Sequence, residues 1–137
     1  MEPKNYKKIL IISSNFYPEI SDNLIEGATT FLKLKKIQYQ ILTVPGSMEI
    51  PLFLKKKKND FEGYIILGCV IKGETDHYDF VANNASNGIA NSSLTTGTPI
   101  IFGILTTNNY KQAKDRITDA KYYATSSIIV PNIIKKL

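Results

Sequence analysis

Residues 64–71 read YIILGCVI. No polar side chain alternates with the apolar ones, so a strand made from this stretch is covered on both faces. Three further short apolar runs resemble it: KILIIS at 8–13, YQILTV at 39–44 and PIIFGILT at 99–106, each bounded by Ser, Asn, Gly or Pro. Between the runs the spacing becomes helical. Leu24, Ile25, Ala28, Phe31 and Leu32 recur at helical intervals, with Ser21 or Asp22 able to cap the start and Lys33, Lys35 and Lys36 at the far end. Pro51 stands in the first turn of a helix over IPLFL. DFVANNASNGIANSSLTTG brings Phe80, Val81, Ala85, Ile89 and Leu94 near one face of a helix that Gly88 weakens. NYKQAKDRI and AKYYATSSIIVPNIIKKL close the chain as helices, the second interrupted at Pro131. Strands of this kind alternating with helices predict an α/β fold, a parallel sheet with helices on both faces.

Bulk properties limit the function classes. A chain of 137 residues reads as one domain, 1–137, large enough to bury a proper core. No apolar run is long enough to cross a bilayer, and MEPKNYKKILIISS has no small-residue cleavage site after it, so a soluble cytoplasmic protein without a membrane partner is expected. The net charge of +5 comes from lysine clusters at segment ends, such as Lys55 to Lys58, with no interleaved aromatics. Cations there suit a helix C-terminus and a solvated face, so no nucleic-acid partner is predicted. The single cysteine, Cys69, lies among apolar residues and reads as a small buried packing residue.

In a parallel sheet ligands bind outside the carboxyl ends of the strands, where the loops SNFYP, VPGSME, KGETDH and TTNN fall. The third belongs to GCVIKGETDHYDF, residues 68–80, which holds three carboxylates and the only histidine, His77. One histidine and one cysteine cannot supply the three protein ligands a zinc site needs, so no metal is predicted. Neither GxxxxGK[ST] nor GxGxxG occurs after a strand. Taken alone, a histidine in a βα loop is more often a surface residue than a chemical one.

Taken together, SNFYPEISDNLIEGA, VPGSMEIP, GCVIKGETDHYDFVAN and TGTPIIFGILTTNNYKQAKDR resemble the 6,7-dimethyl-8-ribityllumazine synthase family, collinearly and at family spacing from about Ile11 to Arg116. The resemblance implies a flavodoxin-like three-layer sandwich with a four-stranded parallel sheet. It also implies active sites between neighbouring subunits of a homopentamer, which in many members assembles further into a sixty-subunit shell. The implied reaction condenses 5-amino-6-ribitylaminouracil with 3,4-dihydroxy-2-butanone 4-phosphate, releasing phosphate and water, in riboflavin synthesis. It uses no cofactor.

The resemblance assigns roles that each side chain can perform. Phe16 matches the aromatic that stacks on the pyrimidine. Ser47, Met48 and Glu49 match the positions that hold the ribityl chain, and Glu49 is equally a first-turn carboxylate favoured by its helix dipole. Cys69, Val70 and Ile71 match the strand end lining the pyrimidine pocket. Glu74 and Thr75 match positions facing the phosphate of the second substrate, at a glycine turn before a helix. Phe102 matches an aromatic supplied across the subunit boundary, and Arg116 the guanidinium that grips the phosphate. His77 matches the proton-transfer residue, with Asp79 placed either to orient it or to open the helix.

The chain departs from the family pattern at four places. Asn15 stands where Arg is usual, Tyr17 where Asn is frequent, and Asp76 where Pro commonly precedes the histidine. After Arg116 the family's glycine-containing loop, Asn-Lys-Gly turn and long alanine-rich helix give way to ITDAKYYATSSIIVPNIIKKL, with Lys121 nearest the lysine of that turn. That last departure bears on the larger assembly more than on the fold.

Overall fold

The computed structural model describes residues 8–57, 61–73, 77–134 and 136–137, without the side chains of Lys8 and Lys57. Four strands, β1 (Lys8–Ser14), β2 (Gln38–Val44), β3 (Gly63–Ile71) and β4 (Ile100–Thr107), form one sheet in the order β2-β1-β3-β4. Every pairing is parallel. This is the flavodoxin-like strand order, and it sets β1 and β3 at the centre. The burial of β3 explains its composition: Gly63 to Cys69 are all buried, with one set of side chains on each face.

Helices cover both faces. On one, α1 (Pro18–Leu34), α4 (Tyr110–Asp115) and α5 (Ala120–Ile134) pack Leu24, Ala28, Leu32, Ala113 and Ala124 against Ile9, Ile11, Ile65, Leu67 and Leu105. On the other, α2 (Ile50–Lys57) and α3 (His77–Thr96) pack Ile50, Leu54, Ala85 and Ile89 against Leu10, Ile12, Tyr64, Ile66 and Ile104. The expected three layers and four strands are present. A methyl group on Gly88 would stand 2.6 Å from Pro51 Cγ, so α2 and α3 approach through this glycine. What weakens α3 as an isolated helix lets it dock.

Three local expectations are corrected. α1 begins at Pro18 with Tyr17 as its N-cap residue, and neither Ser21 nor Asp22 caps it. Ser21 lies inside the first turns, buried, and its hydroxyl donates to the Ser14 carbonyl at 2.5 Å. α5 runs through Pro131 without a break. Pro131 is buried beside Gly63 at the start of β3, where packing offsets the lost backbone hydrogen bond. In α3 only Ala85 and Ile89 are fully buried, whereas Phe80 and Leu94 stand 60% and 84% exposed on this chain.

Candidate active site

Because every strand is parallel, the four carboxyl ends share one edge, with Ser14 level with Val44 and Ile71 level with Thr107. Backbone bonds carry the sheet into the loops there: Asn15 N–H donates to Val44 O at 3.0 Å and Lys72 N–H to Thr107 O at 2.9 Å. The loop after β2 tightens into a single 3-10 turn, Ser47–Glu49, directly before α2. Buried Ser47 meets buried Ser14 there, Oγ to Oγ at 3.3 Å. Gly68 on β3 leaves them room, since a methyl group on it would lie 2.2 Å from Ser14 Oγ.

Between these segments lies a hollow of about 540 Å³, a size suited to a small-molecule ligand. Phe16 and Tyr17 form one wall and Pro45 to Glu49 another. Cys69, Val70, Ile71 and Gly73 supply the strand end, and His77, Tyr78 and Val81 the head of α3. Phe16 is 71% exposed and Met48 44% exposed, leaving apolar surface for a planar ligand to cover. At the strand end, burial pushes the Cys69 thiol up to about 11, so it is neutral near pH 7 and unsuited to attack as a thiolate. His77 opens α3 with Asp79 in the same first turn.

Eight of the residues singled out in the sequence therefore meet around one space: Phe16, Ser47, Met48, Glu49, Cys69, Val70, Ile71 and His77. Phe102 and Arg116 do not reach it. Phe102 borders a second hollow of about 460 Å³ with Ser86, Ile89, Ala90, Ser93, Leu94 and Ile100. Arg116 ends α4, exposed, with Nη1 donating to Gln112 O at 3.1 Å. Glu74 and Thr75 lie outside the described residues.

The sequence reading missed Tyr17, Tyr78 and Val81 as lining residues. Once α3 starts at His77, positions 77, 78 and 81 share one side of its first turn, a signal present in the spacing. The fourth loop, TTNN, contributes nothing to the lining. Thr107 donates to Asn109 O, and Asn109 caps α4 by accepting from the Gln112 N–H at 2.8 Å. Among the described residues no group of three or more His, Cys, Asp and Glu gathers where a metal ion could be held. No helix among them is long and apolar enough to cross a membrane.

The family model for 6,7-dimethyl-8-ribityllumazine synthase matches residues 6–130. The chain belongs to this family. Curated 6,7-dimethyl-8-ribityllumazine synthases are similar to it over most of the chain. That of Leuconostoc mesenteroides is 44% identical over 115 residues, covering 80% of this chain and 74% of its own. Those of Bartonella bacilliformis and Limosilactobacillus reuteri are 44% and 41% identical, covering 77% and 80% of this chain and 72% and 74% of their own. The matched 6–130 contains every lumazine synthase motif residue named above and stops within α5, one residue short of Pro131.

Proposed function

We propose that the hollow is the pyrimidine half of a lumazine synthase active site. There 5-amino-6-ribitylaminouracil condenses with 3,4-dihydroxy-2-butanone 4-phosphate to give 6,7-dimethyl-8-ribityllumazine, phosphate and water. The observation that carries this reading is the convergence of eight motif residues from separate segments of the chain on one space of ligand size. Phe16 offers a ring face for the pyrimidine. Glu49 accepts from the ribityl hydroxyls beside Ser47, and the end of β3 lies along the heterocycle.

The chemistry asks chiefly for positioning and proton transfer. The substrate amine attacks the ketone and water leaves as the C=N bond forms. Loss of a proton from the hydroxyl-bearing carbon then expels phosphate and leaves an enol, which tautomerises to a new ketone, and the second nitrogen closes the ring on that carbonyl with loss of another water. His77, at the mouth of the hollow, takes and returns these protons, worth about 10²- to 10⁴-fold in rate. Holding two substrates in contact supplies much of the rest. The second substrate's phosphate is assigned to Glu74, Thr75 and Arg116, in keeping with a guanidinium's paired donors.

Arg116 and Phe102 lie away from the hollow of their own chain, which supports a site completed by a neighbour. An apolar border on β4 and α3, with Leu94 exposed beside Phe102, suits one repeated heterologous interface that closes into a ring. We assign five subunits, each a single domain over 1–137, in the cytoplasm where both polar substrates would be dissolved. Formation of lumazine followed by absorbance, with both substrates and no added cofactor, tests the reaction. Light scattering tests the ring: a mass near five chains supports it, and an active monomer refutes the shared site.

A further inference from the structure

Phe16 presents a problem for the reading above. Its ring is 71% exposed on a short loop, and a ring so placed loses rotamer freedom each time it stacks on a ligand. Among the described residues its neighbouring ring is Tyr17, met edge-on with centroids 5.1 Å apart and planes at 74°. Tyr17 occupies the N-cap position of α1, where Ser, Thr, Asp or Asn would accept a bond from an orphan backbone N–H, and its side chain makes no such bond. The cap has been given up for a ring. That ring is half-buried, packs against the core under α1, and next meets Tyr110 at 6.5 Å with planes at 58°. Tyr110, the first residue of α4, donates its hydroxyl to Glu19 Oε2 at 2.5 Å across 91 residues of sequence. That bond holds the Tyr110 hydroxyl above its ordinary pKa.

The contacts thus run from the start of α4, absent from the hollow's lining, to the exposed ring of Phe16 on its wall. We propose that Tyr17, braced by Tyr110 and through it by Glu19, is a positioning residue that holds the Phe16 ring ready to stack on the pyrimidine. The proposal rests on the synthase reading, in which Phe16 touches the substrate. Three rings at 4.5–7 Å spacings in tilted and edge-on attitudes form a stable brace, and ordering Phe16 in advance lowers what binding must spend on it.

Steady-state kinetics on the full chain test this. Tyr17→Ala should raise KM for the pyrimidine about two- to tenfold, the range expected from ordering one side chain, with kcat and KM for the phosphorylated ketone little changed. Tyr17→Phe, which keeps the ring, should recover most of the effect. Tyr110→Phe, which deletes only an exposed hydroxyl, should raise the same KM by a smaller factor. In a Phe16→Ala background Tyr17→Ala should add nothing, because it acts through the missing ring. A Tyr17→Ala effect of equal size in both backgrounds, or a loss of thermal stability with no change in KM, overturns the proposal. If Tyr17→Ala does not fold, a Tyr110→Phe chain with unaltered pyrimidine KM overturns it instead. Failure of the wild-type chain to form lumazine overturns the parent reading, and the positioning role with it.

Discussion

Gly68→Ala is the substitution whose effect the geometry fixes most closely. Gly68 lies on β3 beside the buried pair Ser14 and Ser47, and the new methyl would sit 2.2 Å from Ser14 Oγ and 3.3 Å from Ser14 Cβ. The first distance is about 1 Å inside the closest ordinary contact. Ser14 can relieve it by turning its hydroxyl away, which breaks the 3.3 Å bond to Ser47 and leaves a buried hydroxyl unmatched. That costs about 1–3 kcal/mol, and the remaining tight Cβ contact adds about 1 kcal/mol more, for a total of about 2–4 kcal/mol. The alternative is to move Ser47, and with it the turn that carries Met48 and Glu49. Urea unfolding at one fixed protein concentration should show a lower midpoint with an unchanged slope. The pyrimidine KM should rise in parallel. Ser14→Ala combined with Gly68→Ala removes the clashing oxygen and should be more stable than Gly68→Ala alone by about 1 kcal/mol. A Gly68→Ala chain within about 0.5 kcal/mol of wild type, with unaltered KM, would show that the pocket around Gly68 is looser than described.

If His77 moves protons without holding substrate, His77→Ala lowers kcat by roughly 10- to 1,000-fold with KM nearly kept, and a fully active variant removes it from the mechanism. Arg116→Ala should remove roughly 1.5–3 kcal/mol of binding, a rise of about ten- to a hundredfold in KM for the phosphorylated ketone alone. Arg116→Lys should recover only part of it, because the ammonium keeps the charge and loses the fork. With its thiol pushed up to about 11 by burial, Cys69 should resist iodoacetamide at pH 8 while the urea-unfolded chain is modified. Equal rates of modification by mass spectrometry would contradict that burial.

The strands were legible because burial on both faces leaves a mark that local rules can read: YIILGCVI and KILIIS fall within β3 and β1. The beginning of α1 was not. Pro18 belongs to a loop-like stretch and also suits the first helical position, and local sequence does not choose between those roles. Ser21 looked like a cap because Ser is a good one, yet its hydroxyl serves the end of β1. Helical periodicity put Phe80 and Leu94 on the apolar side of α3, but it cannot tell a side chain facing its own sheet from one facing outward. Similarly, Pro131 predicts a break in isolation and is carried through by its place against β3. At the site, loop chemistry and family spacing together found eight lining residues. Tyr17 was noted only as a departure, since its contact with Tyr110 joins residues far apart in the chain.

The seating of Pro51 against Gly88 has an evolutionary consequence. Alanine is the better helix former, by roughly 0.5–1 kcal/mol in a helix interior, so drift toward a more stable α3 would favour replacing Gly88. That path is closed while Pro51 Cγ stands 2.6 Å from where the new methyl would fall. It opens only after Pro51 has shrunk to a smaller residue, so the two changes are permitted in one order and opposed in the other. Since α2 follows the Ser47–Glu49 turn and α3 begins at His77, an ancestor that took the steps out of order would have disturbed two walls of the hollow at once. Related chains should therefore keep glycine at 88 wherever position 51 is bulky, and carry a larger residue at 88 only where position 51 is small.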